Sequence, residues 1–134
     1  MAPHLLDTNI ASHIIKGTTP SVDRRLAKMP PANVFISTVT EAELRYGLAR
    51  LPRATRLEAL VEDFLLMVNI LPWDSEAAKR YGRLRANLER DGLPMANLDL
   101  MIGAHALALG AILVTSDRAF SRIENLKIAD WTRA

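Results

Sequence analysis

Short apolar runs, separated by longer stretches with helical periodicity, make up most of this chain. The apolar runs predict strands over residues 2–6, 34–36, 70–71, 111–115 and 126–128. Apolar positions spaced three and four residues apart predict helices over residues 10–15, 22–29, 39–51, 52–68, 75–90 and 97–109. Because strands and helices alternate, we expect an α/β fold in which a mainly parallel sheet lies between layers of helices.

Capping residues mark several of the predicted helix boundaries. The cluster Asp7, Thr8 and Asn9 precedes the first helix, and Ser37 and Thr38 precede the third. Pro52 is placed to open the fourth helix, and Gly110 suits the end of the last long one.

Length and composition favour one soluble domain spanning residues 1–134. Apolar residues make up 49% of the chain and charged residues 24%, a balance that supports a packed core. The N-terminus lacks a secretory pattern, and the apolar region 100–115 is interrupted and shorter than the ~20 residues of a membrane span. We therefore expect a cytoplasmic protein. The net charge of +2 permits a polyanionic partner but does not require one.

The residue types available restrict any metal chemistry to oxygen ligands. The chain contains no cysteine, and its three histidines are scattered. A thiolate or histidine-built metal centre is therefore not expected.

Three aspartates lie at positions where a carboxylate has either a structural or a functional role. Asp7 ends the first strand and Asp117 follows the strand 111–115, so each can cap a helix or lie beyond the sheet edge where ligands bind. Asp99 lies in the first turn of a nearly apolar helix. A buried carboxylate there needs helix N-terminal amides, a basic side chain or a bound cation.

Helical geometry distinguishes Glu43 from Glu41. Both match a capping box, Glu41 with Thr38 and Glu43 with Thr40. At about 100° per residue the two glutamates point in nearly opposite directions, and Glu41 can pair with Arg45 one turn later. Glu43 is therefore predicted to be the inward-facing acid.

Other conspicuous residues are expected to be structural. His105 is predicted to be packed and hydrogen-bonded, and the apolar run 64–68 to lie in the core. Asp63 belongs to a helical pattern and is expected on a solvated face. Some basic residues offer contacts to an RNA backbone, although most also suit a solvated helix surface: Arg45, Arg50, Arg53, Arg80, Arg83 and Arg85.

Four short motifs follow one another along the chain. They are Leu5-Leu6-Asp7-Thr8-Asn9, Glu43-Leu44-Arg45-Tyr46-Gly47, Leu98-Asp99 before a small-residue helix, and Leu113-Val114-Thr115-Ser116-Asp117. Together they resemble the PIN-domain family, and most closely the VapC toxins of bacterial toxin–antitoxin pairs. The resemblance implies a three-layer α/β/α domain with a mainly parallel sheet of four or five strands.

The resemblance also implies a site and an activity. It places Asp7, Glu43, Asp99 and Asp117 in the family's acidic quartet, and Asn9 and Thr115 in supporting positions. It implies an endoribonuclease toxin acting on RNA, often tRNA, held inactive by a cognate antitoxin, and a homodimer. Many relatives carry a longer Thr-Asn-Asn segment where this chain continues from Thr115 to Asp117. Asp117 is taken as the fourth acid of the quartet because it directly follows the strand.

Converging carboxylates match the preference of Mg²⁺ or Mn²⁺ for oxygen ligands. We hypothesise that Asp7 and Asp99 bind the metal, that Asp117 completes or supports the site, and that Glu43 binds through water or positions the attacking water. Three alternatives use the same acids. They are a metal-dependent phosphatase or DNA nuclease, a non-catalytic phosphoacceptor module, and a protein-binding α/β module in which the acids only cap helices.

Overall fold

The apolar runs form one sheet of five parallel strands within residues 2–133, the part of the chain that the computed structural model describes. In chain order the strands are β1 (His4–Leu6), β2 (Val34–Ser37), β3 (Asn69–Leu71), β4 (Ile112–Val114) and β5 (Ile128–Ala129). Their order across the sheet is β3-β2-β1-β4-β5. Successive strands are therefore added on one side of β1 and then on the other, so the strand order reverses between β1 and β4. Ligands of open parallel sheets bind at such a reversal, beyond the carboxyl ends of the strands.

Helices connect these strands close to the predicted positions. They are α1 (Thr8–Lys16), α2 (Pro20–Ala27), α3 (Thr38–Ala49), α4 (Thr55–Met67), α5 (Ser75–Arg90) and α6 (Asn97–Leu109), with short 3-10 helices at Pro31–Asn33 and Arg118–Arg122. Gly110 ends α6 with a left-handed φ of 62°, which favours glycine at that cap. The prediction that Pro52 opens α4 is wrong. A turn precedes the helix, and Arg53 in that turn has a φ of 61°.

The sheet is covered on both faces, as the sequence predicts. On one face Leu6 and Ile36 pack with side chains of α1, α2 and α4, including Ile10 and Phe64. On the other face Leu5, with other side chains, packs against α5 and α6. The three-layer α/β/α arrangement and the parallel sheet are therefore confirmed.

The apolar run 64–68 is only partly in the core. Phe64, Leu65 and Val68 are buried, but Leu66 is 86% exposed and Met67 is also exposed. Residues on the outer side of α4 point away from the sheet, because helical periodicity turns about half of any long run outward. No helix within residues 2–133 is both long and apolar enough to cross a membrane.

Candidate active site

The reversal of strand order places Asp7 beside Thr115. Asp7 continues β1 by one residue, and its backbone N–H donates to the carbonyl of Val114 at 3.0 Å. Thr115 follows β4, the neighbouring strand, and its hydroxyl donates to Oδ2 of Asp7 at 2.5 Å. The supporting position predicted for Thr115 therefore lies in direct contact with the first acid of the predicted quartet.

Asp7 caps a helix and is also an unusually buried carboxylate. Its Oδ1 accepts from the backbone N–H of Ile10 at 2.8 Å, which caps α1, and the residue is only 4% exposed. Burial raises the pKa of Asp7, and the bonds from Thr115 and Ile10 oppose that rise. The negative charges of Asp99 and Asp117 raise the pKa further. The capping interpretation is therefore correct, but it does not account for two more carboxylates close to a buried one.

Asp99 and Asp117 lie close enough to Asp7 for their charges to act on its carboxylate. Asp99 is half-buried in the first turn of α6, whose following residues are buried as predicted. Burial raises the pKa of Asp99, and so do the charges of Asp117 and Glu43. Asp117 is exposed, and its Oδ1 accepts from the backbone N–H of Ala119 to cap the 3-10 helix Arg118–Arg122. Its own N–H donates to the hydroxyl of Thr115 at 3.0 Å.

Glu43 faces the pocket, and Glu41 does not. The hydroxyl of Thr8 donates to Oε1 of Glu43 at 2.6 Å, and the same hydroxyl lies 3.2 Å from that of Thr40. Glu41 instead pairs with Arg45 at 3.0 Å, as helical geometry predicts. The capping boxes do not form, because the hydroxyl of Ser37 caps α3 through the N–H of Val39.

Two residues that orient the acids were not singled out from the sequence. Thr8 holds Glu43, although Glu43 lies 35 residues further along the chain, and the hydroxyl of Thr40 lies 3.2 Å from that of Thr8. The position of Thr8 directly after Asp7 was the available signal, but it was interpreted only as a helix cap. The side chain of Asn9 is exposed and makes no hydrogen bond within residues 2–133, so its supporting role stays a prediction.

The pocket gathers negative charge without a preformed cluster of ligands. In the described part of the chain, no group of three or more His, Cys, Asp or Glu side chains lies close enough together to hold a metal ion. Mg²⁺ is commonly held by only one or two carboxylates, with water and substrate phosphate completing its shell. Asp7 and Asp99 are carboxylates whose pKa values burial and neighbouring charges raise, and a nearby cation would lower both values.

We expect the metal-free chain to lose stability as the pH rises through the raised pKa values of Asp7 and Asp99. Between the pKa values of the unfolded and folded states, the folded protein binds more protons, so raising the pH favours unfolding. Urea denaturation of the unaltered chain and of Asp7→Asn in chelator, from about pH 4 to about pH 8, tests this. The Asn variant should gain on the unaltered chain as the pH rises, and a difference that did not change with pH would contradict the prediction.

His105 differs from its prediction in one respect. It is packed in the interior with 1% exposure, but its Nδ1 has no hydrogen-bond partner among residues 2–133. Burial lowers the pKa of His105, and Asp74 opposes that effect. Because the folded-state pKa of His105 is lowered, this residue destabilises the fold as the pH falls below the ordinary pKa of histidine. Asp7 and Asp99 have raised pKa values and destabilise the fold as the pH rises.

The basic residues considered for RNA contacts fall into two groups. Arg45 bridges Glu41 and Glu62, and Arg85 pairs with Glu89, so their charges are already balanced. Arg50 makes no ion pair within the described residues.

Asp63 lies exposed on α4 as expected, and not after a strand where a phosphoacceptor aspartate would lie.

Comparison with known proteins shows which family this chain resembles in sequence and fold. The PIN domain family matches residues 4–126. The tRNA(fMet)-specific endonuclease VapC of Shigella flexneri is 37% identical over 133 residues, covering 98% of this chain and 100% of the relative. Ribonuclease VapC2 of Rickettsia felis is 33% identical, with 97% and 98% covered. The structure of DNA-bound VapBC from Salmonella typhimurium superposes with a TM-score of 0.91 at 35% identity, covering 98% of this chain and 99% of that one.

Proposed function

We propose that this chain, which belongs to the PIN-domain family and within it to the VapC ribonucleases, is an endoribonuclease that depends on a divalent cation. The observation that carries the proposal is the convergence of Asp7, Asp99 and Asp117 at the reversal of strand order, where the charges of Asp99 and Asp117 raise the pKa of Asp7 and the charge of Asp117 also raises the pKa of Asp99. A structural protein has no reason to keep a buried carboxylate beside two more acids, because their repulsion destabilises the fold.

Each acid has a distinct part in this proposal. Asp7 and Asp99 would hold Mg²⁺ or Mn²⁺, and Asp117 would complete or support the site from the exposed side. When bound, the cation supplies Lewis-acid stabilisation of the phosphate charge and lowers the pKa of a bound water. Thr115 fixes the orientation of the Asp7 carboxylate through its hydrogen bond.

Glu43 is assigned to the attacking water. Its Oε1 accepts from Thr8, which leaves the second carboxylate oxygen to accept a hydrogen bond from a water molecule. A water held in this way can be aligned for in-line attack on phosphorus, and the products would be a 3′-hydroxyl and a 5′-phosphate.

The names of the relatives indicate the substrate and the partner. The Shigella flexneri relative is named as a tRNA(fMet)-specific endonuclease, and the solved Salmonella typhimurium structure is of a VapBC complex. We therefore propose that this chain cleaves a tRNA, as the toxin of a toxin–antitoxin pair, and that a cognate antitoxin binds it. The homodimer implied by the resemblance also stays a prediction.

Product analysis tests the proposed reaction. The purified chain is incubated with total tRNA, with single-stranded DNA and with a small phosphomonoester, each in Mg²⁺ and in excess chelator. We expect cleavage of RNA only, dependent on Mg²⁺, with fragments that carry 5′-phosphates. Cleavage that persists in chelator would contradict the role of the cation, and hydrolysis of DNA or of the monoester instead of RNA would favour one of the alternative phosphoesterases.

A further inference from the structure

Tyr46 is an exposed aromatic residue one helical turn from Glu43. It is 69% exposed, whereas the other six aromatic side chains of the chain are buried or half-buried. Glu43 and Tyr46 are three residues apart on α3, so their side chains are neighbours on the helix surface. The one exposed aromatic ring within residues 2–133 therefore lies beside an acid of the candidate active site.

A groove between α1, α3 and α4 begins at the same acid. Its volume is about 230 Å³, and Thr8 and Glu43 line it at the end next to the active site. Leu44 and Val61 are among the apolar residues of its walls. Gly47 also lines the groove, and a Cβ added there would meet nothing within 4 Å. The groove is therefore open beside Tyr46 and has an apolar surface.

Two cations border this groove. Lys16 and Arg50 both line it, and neither forms an ion pair within the described residues. The guanidinium carbon of Arg50 lies 6.0 Å from the centre of the Tyr46 ring, as in a cation–π contact. Unlike Arg45, whose charge is balanced by Glu41 and Glu62, these cations remain available to an external anion.

We propose that Tyr46 is a stacking platform for an RNA base adjacent to the scissile phosphodiester, and that Lys16 and Arg50 bind the neighbouring backbone phosphates. This inference rests on the proposed ribonuclease function and adds a substrate-binding subsite to it. RNA-binding proteins use this combination, in which exposed aromatic rings stack unpaired bases and cations track the backbone.

The chemistry of the groove favours RNA over a protein segment. A nucleotide has apolar base faces and an anionic backbone, and here an exposed ring and apolar walls lie beside two unpaired cations. The groove also ends at Glu43, so a nucleotide on Tyr46 would place the adjoining phosphodiester near the acids. An apolar protein helix would leave the charges of Lys16 and Arg50 without anionic partners.

RNA affinity tests the platform directly. Binding of a labelled 12-nucleotide single-stranded RNA is measured by fluorescence anisotropy on the Asp99→Asn chain in chelator, so that the probe stays intact. Adding Tyr46→Ala should weaken binding by about 5-fold to 150-fold, since stacking contributes about 1–3 kcal/mol per base. Tyr46→Phe keeps the ring and should bind as its parent does. Leu66→Ala removes another exposed apolar side chain, on α4, and serves as the matched control.

The cations and the groove have their own variants. Lys16→Gln with Arg50→Gln should reduce the slope of log affinity against log salt by about 1.4, the value for two phosphates on a single strand. Arg24→Gln with Lys28→Gln removes two exposed, unpaired charges near α2, outside this groove, and should change the slope less. Gly47→Leu adds a side chain whose Cβ meets nothing within 4 Å, and it should weaken RNA binding by occupying part of the groove.

Cleavage kinetics separate this inference from the proposed function. In the otherwise unaltered chain, Tyr46→Ala should raise KM for RNA and leave kcat nearly unchanged, because the ring contacts a flanking base in both ground and transition states. If the unaltered chain cleaves no RNA, the proposed function fails, and the affinity measurements still decide the platform. Equal RNA affinities for Tyr46→Ala and its parent would overturn the platform, and weakened self-association of that variant would then identify the face as a protein interface.

Discussion

Asp7→Asn and Asp99→Asn are each expected to lower Mg²⁺-dependent RNA cleavage by about 10³-fold. A bound cation contributes several kcal/mol to transition-state stabilisation, and a loss of about 4 kcal/mol corresponds to that factor. Asparagine keeps the size of the side chain and is an equally good helix cap, so α1 should still begin at Thr8 in the Asp7 variant. Single-turnover cleavage of a labelled tRNA gives the measurement.

The same variants should be more stable than the unaltered chain when no metal is present. Each substitution removes one of the charges whose repulsion raises the pKa values of Asp7 and Asp99. We expect melting temperatures a few degrees higher in chelator, and Mg²⁺ should raise the melting temperature of the unaltered chain but not of the variants. Asp63→Asn, which neutralises an exposed acid on α4, is the matched control and should change neither activity nor stability. Loss of activity together with loss of metal-free stability would show that the acids are structural.

Thr115→Val is expected to destabilise the fold by about 2 kcal/mol, because a buried carboxylate then loses a hydrogen bond from a hydroxyl. Thr115 is 1% exposed and nearly isosteric with valine, so packing changes little. The variant also removes the acceptor for the N–H of Asp117. One hydroxyl connects two of the four acids, so RNA cleavage should fall as well.

The pH profile distinguishes this role from a general loss of stability. The bond from Thr115 lowers the pKa of Asp7, so its removal should raise that pKa further. Cleavage that requires ionised Asp7 would then be lost at a higher pH in Thr115→Val than in the unaltered chain. Thr115→Ser keeps the hydroxyl and should restore the original acid limb. An unshifted acid limb in the valine variant would contradict the assignment of Thr115 as a positioning residue.

Local signals predicted most of the secondary structure. The predicted bounds of α5 and α6 are those observed, because Asp74 caps the first and Gly110 ends the second through local hydrogen bonds and backbone angles. Pro52 misled the prediction for α4, since proline also suits a turn and a turn precedes that helix. Capping residues report local geometry well, and they fail where two local structures are compatible with the same residue.

The sequence predicted only those site residues whose place follows from their position along a strand or helix. Asp7 and Asp117 were found because they follow strands, and Glu43 because helical periodicity turns it away from Glu41. The hydroxyl of Thr8 reaches Glu43 only when α1 and α3 pack side by side, and no local pattern encodes that contact. The exposure of Tyr46 was also not predicted, since which face of α3 the rest of the protein covers depends on the assembled layers.

The pairing of β1 with β4 determines at which stage of synthesis and folding the acidic site can form. Asp7 and Thr115 are 108 residues apart in sequence, so the contact between them closes a loop that spans most of the chain. The entropy of closing such a loop opposes the contact before it can stabilise the fold. During synthesis, which releases the N-terminal end first, a nascent chain carries Asp7 long before Asp99 and Asp117 have been added. The acidic site therefore cannot assemble in the growing polypeptide until synthesis has passed Asp117, after α6 and β4.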